Sequence, residues 1–399
     1  MIAPGLVAAI ALTLAAFAVG TALTALARRV APRVGLVDRP GGRKAHKAPT
    51  PMGGGVAIWA TTGLILALGA VALSLFRSSL PPELAVHAGG LWSKGPRLLL
   101  LFGLATVVMA MGLADDRVGL GWRVRLAVQT GLAVAVVMAG VRVTLFWPVD
   151  HPVLAGAITV VWIVGLTNSF NFLDNMDGLA AGVGLIAALL FAAAQAIVGS
   201  LFVPAVLLVM VGALAGFLVF NRHPASIFMG DAGSNFLGFM LGTLTVAGTF
   251  ARPGEGSSPF GVLSPLLVMA VPLYDTTSVV LIRLREGRSP FQADRRHFSH
   301  RLVDRGLTPP LAVRTIELVT LAGGLGALAL PFLGGLGAAA VLAQTACLIG
   351  VVAILESASP AQPPAPITST STSPSERRDG EANPEHPASR EVPAVGDRP

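Results

Sequence analysis

Residues 203–220 read VPAVLLVMVGALAGFLVF, eighteen positions without one charged side chain. A helix of that length crosses a bilayer core of about 30 Å, which takes roughly 17 to 25 apolar residues. Residues 98–113, LLLLFGLATVVMAMGL, repeat the pattern. Neither run alternates apolar with polar residues, so neither is a strand of a transmembrane barrel. Over all 399 residues, 53% are hydrophobic, 12% are charged and the mean hydropathy is +0.73. Those values exclude a cytosolic globular enzyme. The chain reads as an all-α, polytopic integral membrane protein.

Apolar runs occupy about residues 3–26, 53–76, 98–114, 124–147, 153–170, 179–199, 202–220, 236–251, 260–282, 312–333 and 336–355, giving about eleven transmembrane helices. The first lacks a basic leading region and exceeds the core of a signal peptide, so it reads as a retained span. Its basic flank follows it, which sets the amino terminus outside and residues 27–51 in the cytoplasm. With one crossing per run, the gaps at 27–52, 115–123, 171–178, 221–235 and 283–311 share the cytoplasmic face. A transmembrane domain is expected over residues 1–356. Residues 357–399 are rich in Pro, Ser, Thr and acids and are expected to form a disordered cytoplasmic tail.

The sequence pI near 10.8 would point to nucleic acid if the charge were spread evenly. It is not. Residues 28–47 hold seven Lys/Arg against one acid, and residues 283–314 hold eight Arg against three acids. These two loops carry +11, more than the whole-chain +7, so the remainder is acidic. Basic clusters beside spans retain loops in the cytoplasm and meet anionic lipid or phosphate. Nucleic acid is therefore not an expected partner. The single cysteine, Cys347, lies in an apolar run and supports no disulfide framework.

Five of the acidic residues fall in three short cytoplasmic gaps: Asp115 and Asp116, Asp174 and Asp177, and Asp231. Carboxylates at a membrane boundary are costly unless hydrated, paired or metal-bound, which makes them functional candidates. In GLADDRVGLGWR the adjacent Asp115 and Asp116 point about 100° apart on a helix end, so one can face a metal while the other faces a substrate. The plain alternative is a hydrated helix end with Arg117 as partner. In NSFNFLDNMDGLAAG, spacings of three and four put Asn168, Asn171 and Asp174 on one helical face, which suits a hard cation or a polar ligand. An Asn/Asp capping loop, with Asp177 near the next helix start, is the alternative.

In NRHPASIFMGDAGSNFLG, Asp231 stands between Gly230 and Gly233 before a span, where exposed backbone N–H groups suit phosphate and the carboxylate suits a bridging cation. No Walker sequence occurs. In RSPFQADRRHFSHRLVDRG, His297 and His300 lie three apart among Arg288, Arg295, Arg296 and Arg301. The guanidinium charge there favours phosphate oxygens over a cation. The first loop, GLVDRPGGRKAHKAPTPMGGG, offers Arg43, Lys44, His46 and Lys47 to an anionic headgroup or diphosphate.

The ordered series RKAHKAPTPMGGG, GLADDR, NSFNFLDNMDGLAAG, MGDAGSNFLG and DRRHFSHRL resembles the polyprenyl-phosphate N-acetylhexosamine-1-phosphate transferase family over about residues 27–310. The last motif is closer to the HxHH form of the undecaprenyl-phosphate GlcNAc-1-phosphate transferases than to the form of the MurNAc-pentapeptide enzymes, with Ser299 where a histidine is usual. The resemblance implies that a membrane prenyl phosphate attacks the sugar-linked phosphorus of a cytosolic UDP-sugar, giving prenyl-diphosphate-sugar and UMP. This would be a first membrane step of cell-envelope glycan synthesis, located in the cell membrane with a cytoplasmic site. Carried by motif, Asn171 and Asp231 match magnesium positions, with Mn²⁺ as a substitute, and Asp115 and Asp116 match the catalytic acidic pair. Substrate contacts are implied for Lys44, His46, Asn168, Asp174, Asp177, His297, His300 and Arg301. Implied partners are the UDP-sugar, the polyprenyl phosphate, the membrane and, as a further candidate, a second copy in a homodimer. The rivals are a sister enzyme using UDP-MurNAc-pentapeptide or another UDP-HexNAc, a transporter with carboxylates at the membrane boundary, and a catalytically dead scaffold that uses the acidic, Pro-rich tail.

Overall fold

The computed structural model describes residues 4–39, 49–76, 82–143, 151–252, 257–290 and 296–357. Each apolar run contains helix among the described residues. In chain order the helices are α1 (Pro4–Val30), α2 (Gly54–Leu75), α3 (Pro82–Val118), α4 (Trp122–Met138), α5 (Pro152–Leu173), α6 (Leu179–Ile197), α7 (Phe202–Asn221), α8 (Gly230–Ala247), α9 (Ser264–Val268), α10 (Ala270–Arg285), α11 (Phe298–Asp304), α12 (Pro309–Leu325) and α13 (Gly335–Ser357). Among the described residues eight helices are long and apolar enough to cross a membrane, or nine with the bent pair α9 and α10 taken as one span. The two other runs in the expected set of eleven are α4, at 17 residues, and α8, which opens on the polar residues Asp231, Ser234 and Asn235.

The bend between α9 and α10 is 58°. It follows from Pro272 in the first turn of α10, which has no N–H to continue the helix ladder through Met269. The remaining polar device is a two-residue antiparallel ladder, β1 (Val37–Asp38) with β2 (Thr50–Pro51), which closes the first loop at its base.

α8 is the centre of the bundle. Every residue from Ala232 to Thr245 is buried, with α3 on one side and α5 on another. α1 and α13 lie at the periphery and leave most of their apolar side chains uncovered, as a lipid-facing helix must. Lipid tails are as apolar as leucine, so helices associate here through close van der Waals fit between small residues. At the α1–α7 contact a Cβ on Gly212 would stand 2.4 Å from the Thr13 carbonyl oxygen, and one on Gly216 2.5 Å from the Thr21 nitrogen. The same device sets the start of α8: a Cβ on Gly55 would meet the Gly233 nitrogen at 2.1 Å, and one on Gly112 the Asp231 carbonyl oxygen at 2.3 Å.

Candidate active site

The acidic motifs, 115–116, 174–177 and 231, separate in sequence, meet where α3 and α5 end and α8 begins. Gly230 opens α8 at φ 73°, a left-handed conformation that glycine accepts without cost. Asp116 then accepts hydrogen bonds from the backbone N–H groups of Asp231 (2.8 Å) and Ala232 (3.1 Å). One carboxylate of the adjacent pair thus caps α8, satisfying donors that have no partner within the helix. Asp115 points elsewhere, as the helical angle between neighbours requires. Its oxygens accept from the Leu120 N–H at 2.5 Å and from Arg125 Nη1 at 2.6 Å.

Arg125 also reaches Asp231 Oδ2 at 3.3 Å, so one guanidinium nitrogen lies between two carboxylates. Sequence reasoning passed over Arg125 because it falls in the first turn of an apolar run and looks like a topological flank. From α5, Asn171 donates through Nδ2 to Asp231 Oδ1 (2.8 Å) and to Ser234 Oγ (3.2 Å). Asp174 follows at the end of α5. Burial, and then the charges of Asp116 and Asp177, push its pKa up to about 7. Four carboxylates (Asp115, Asp116, Asp174 and Asp231) therefore share one region, with Arg125 as the cation bonded to two of them.

That surplus of negative charge fits a divalent cation. Asn171 and Asp231 supply oxygen donors, and no three His, Cys, Asp or Glu side chains among the described residues are grouped to hold a metal by themselves. Few protein ligands, with water and phosphate completing the shell, is how Mg²⁺ is commonly held.

Other expected contacts are engaged within the protein. Asn168 donates to Gln129 Oε1 (2.7 Å), and Gln129 in turn donates to Asn235 Oδ1 (2.9 Å), a buried ladder joining α5, α4 and α8. Asp177 accepts from the Ala225 N–H at 3.1 Å and sits 2.9 Å from His223 Nδ1, so it braces the 222–226 turn. Arg301 pairs with Glu356 at 3.0 Å, donates to Ser278 Oγ at 2.8 Å and to the Arg296 carbonyl at 2.9 Å. With Tyr274 also donating to Glu356, this network ties α10 and α11 to the end of α13. Each of these side chains has a bracing role in the fold, beyond the substrate contact expected of it.

His297 is nearly buried, its Nδ1 3.0 Å from Asp275 Oδ2, and its ring meets Phe172 edge-on with centroids 5.6 Å apart. His300 lies one turn further along α11, half-buried. Ser299, the departure from the usual histidine, donates to Asn175 Oδ1 at 2.6 Å and so fastens α11 to the loop after α5. Lys44 and His46 lie outside the described residues, as do Arg43, Lys47, Arg295 and the tail from residue 358. The base of the first loop is nevertheless fixed beside the site: the Phe228 N–H donates to the Pro51 carbonyl, and the Gly54 and Gly55 N–H groups donate to the carbonyls of Phe228 and Met229.

Along α5 an open groove of about 460 Å³ runs against α10, lined by Ile158, Val161, Trp162, Gly165, Ser169 and Thr276 among others. It is almost wholly apolar, and its Ser169 end lies level with Asn171 but about 200° around the helix from it.

The family profile described as Glycosyl transferase family 4 matches residues 98–249, the stretch that carries all the acidic motifs. A probable undecaprenyl-phosphate N-acetylglucosaminyl 1-phosphate transferase of Bacillus subtilis is 31% identical over 306 residues, covering 74% of this chain and 78% of that protein. A decaprenyl-phosphate N-acetylglucosaminephosphotransferase of Mycolicibacterium smegmatis is 37% identical over 325 residues, with 74% and 75% covered. The undecaprenyl-phosphate alpha-N-acetylglucosaminyl 1-phosphate transferase of Escherichia coli is 28% identical over 314 residues, with 75% and 77% covered.

Proposed function

The chain belongs to glycosyl transferase family 4, and on that premise we propose that it transfers N-acetylglucosamine 1-phosphate from UDP-GlcNAc to a polyprenyl phosphate, giving polyprenyl-diphosphate-GlcNAc and UMP. The observation that carries this reading is the convergence of Asp115, Asp116, Asp174 and Asp231 with Asn171 where α3 and α5 end and α8 begins. A prenyl chain suits the apolar groove, which lies on the α10-facing side of α5 and reaches the same level of that helix as the site. A transporter would hold its acids near the middle of the spans, whereas these gather at helix ends.

Both substrates are anionic. In the reaction a phosphate oxygen of the lipid bonds to the sugar-linked phosphorus, the bridging oxygen bond to the uridylyl phosphate breaks, and UMP leaves with the electron pair. Asn171 and Asp231 would hold Mg²⁺, which neutralises phosphate charge as the leaving UMP gains it. Asp116 and Asn171 fix Asp231 from two sides, so that its carboxylate is oriented before substrate arrives. Asp115 is committed to Arg125 and the Leu120 N–H, which suits a positioning role better than proton abstraction. A prenyl phosphate has a second pKa near 6 and is mostly dianionic at neutral pH without a base.

Arg28 and Arg29 in the last turn of α1, Arg33 just after it, and Arg283 and Arg285 at the end of α10 border the site's end of the bundle. Under the positive-inside bias that end is cytoplasmic, where a sugar nucleotide is available. The test is incubation of purified protein with labelled UDP-GlcNAc, undecaprenyl phosphate and Mg²⁺. UMP and a butanol-extractable labelled lipid are expected together. Release of neither, with activity on UDP-MurNAc-pentapeptide instead, would replace the sugar assignment.

A further inference from the structure

Asp275 lies in α10 at 1% exposure and takes no part in the chemistry outlined above. A carboxylate in such surroundings is costly unless both oxygens are occupied. Here both are. Oδ1 accepts the Phe298 N–H at 2.6 Å, and Oδ2 faces His297 Nδ1 at 3.0 Å. An ionised carboxylate only accepts, so the Nδ1 of His297 carries the proton and Nε2 is left over. Among the described residues Nε2 has no partner, although the side chain is 8% exposed. Phe172 holds the ring from another side, with the buried Arg283 guanidinium 5.4 Å from the Phe172 ring centroid. Phe172 lies two residues before Asp174, so the restrained imidazole stands against the loop that carries the site.

We propose that Asp275 is a positioning residue for the transfer reaction: it fixes the Nδ1–H form and the direction of His297, so that Nε2 is the nitrogen offered to a substrate phosphate. The inference rests on the proposed function and deepens it. A ring backed by a carboxylate can carry a second proton on Nε2 and donate it to a phosphate oxygen, with the carboxylate offsetting the added charge. A ring without that partner has no fixed tautomer and no fixed direction.

A purely structural role is the competing account, since the bond to the Phe298 N–H caps the short helix α11 from outside. Asp275→Asn separates the two. The asparagine oxygen still accepts from the Phe298 N–H, but its amide presents donors to Nδ1 and forces the ring to the other tautomer. A structural brace survives this change, and a positioning device does not.

The experiment has two arms. In the first, the full chain with ¹⁵N-labelled histidine is studied by NMR in detergent, well above the ordinary histidine range, with His297→Gln giving the assignment. The Nδ1–H form is expected in the wild type and the Nε2–H form in Asp275→Asn; a wild-type ring protonated on Nε2 overturns the proposal. In the second, turnover of UDP-GlcNAc is expected to fall about 10- to 100-fold in Asp275→Asn. His297→Gln should fall as far, and the double variant no further, because the two residues act as one unit. Losses that multiply in the double variant overturn the proposal. If the wild type releases no UMP at all, it is the functional reading that fails, and the tautomer measurement still decides what Asp275 does.

Discussion

Asn171 donates its side-chain N–H to Asp231 Oδ1 at 2.8 Å, joining the end of α5 to the start of α8 across 60 positions of sequence. The two side chains that would share a cation are thus already in contact, and Asp116 anchors the same helix start from α3. Removing Asp231 takes away the carboxylate proposed as a cation ligand while leaving the cap that Asp116 makes to the backbone. Asp231→Ala is expected to lower UMP release by at least about 100-fold without loss of folded protein, and raising Mg²⁺ should not restore it. Activity that returns at high Mg²⁺ would assign Asp231 a lesser part.

Arg125 stands between Asp115 and Asp231. Its loss leaves two carboxylates facing each other, so Arg125→Ala should lower turnover by about 10-fold or more. The expected stability cost is about 1–3 kcal/mol, read as a lower melting temperature in detergent. Arg125→Lys keeps the charge but not the planar fork, and should recover part of both losses. Equal behaviour of the two variants would mean that charge at this point is irrelevant.

Asp174 sits with its pKa raised to about 7 by burial and by Asp116 and Asp177. Below that pH it is mostly protonated and neutral; above it, ionised. A divalent cation favours the ionised form, so binding should tighten from pH 6 to pH 8 and release protons as it occurs. Calorimetry in buffers of different ionisation enthalpy measures that release. Asp231, its pKa pushed up to about 8 by burial and by Asp115 and Asp116, titrates in the same window. Asp174→Asn should therefore remove part of the dependence, and an unchanged slope in this variant would assign it to Asp231.

Gly112 lets α3 approach the Asp231 carbonyl so closely that a Cβ would stand 2.3 Å away. Backbone cannot yield there as a flexible side chain would. Gly112→Ala is expected to cost about 1–3 kcal/mol and to displace the start of α8, with activity falling more steeply than melting temperature. Full activity in this variant would show that the helix start has slack.

Ser299 fastens α11 to Asn175 through one buried hydroxyl. Ser299→Ala leaves the Asn175 oxygen without that donor, and a loss of about 0.5–1.5 kcal/mol is expected in thermal unfolding. A rise in KM for UDP-GlcNAc with little change in kcat would accompany it if the loop after α5 meets the nucleotide; no change in either quantity would confine Ser299 to packing.

The spans were legible because hydropathy is a property of consecutive residues, and among the described residues eight or nine of the eleven expected runs formed helices long and apolar enough to cross a membrane. The acidic motifs were legible for a related reason, since carboxylates at the ends of spans stand out against an apolar background. Arg125 and Gln129 escaped notice because one lies at the edge of a run and the other is an uncharged residue within it. Asp275 carried a usable signal, a charge inside an apolar run, but its partner His297 lies 22 positions away and no local pattern names it.

Sequence by itself determined that this chain lives in a membrane as a helical bundle, that its charge is gathered in two loops, and which family's motifs it bears. Those are sums and spacings along the chain. Tertiary structure alone decided that the adjacent Asp115 and Asp116 serve different partners, that Arg125 bridges two carboxylates, and that Arg301, Asp177 and Asn168 are tied into the protein's own framework. The physical reason is that a carboxylate's role is set by whichever donors reach it, and in a bundle those donors come from helices far apart in sequence, brought close at the start of α8 by glycines that leave no side chain between the helices.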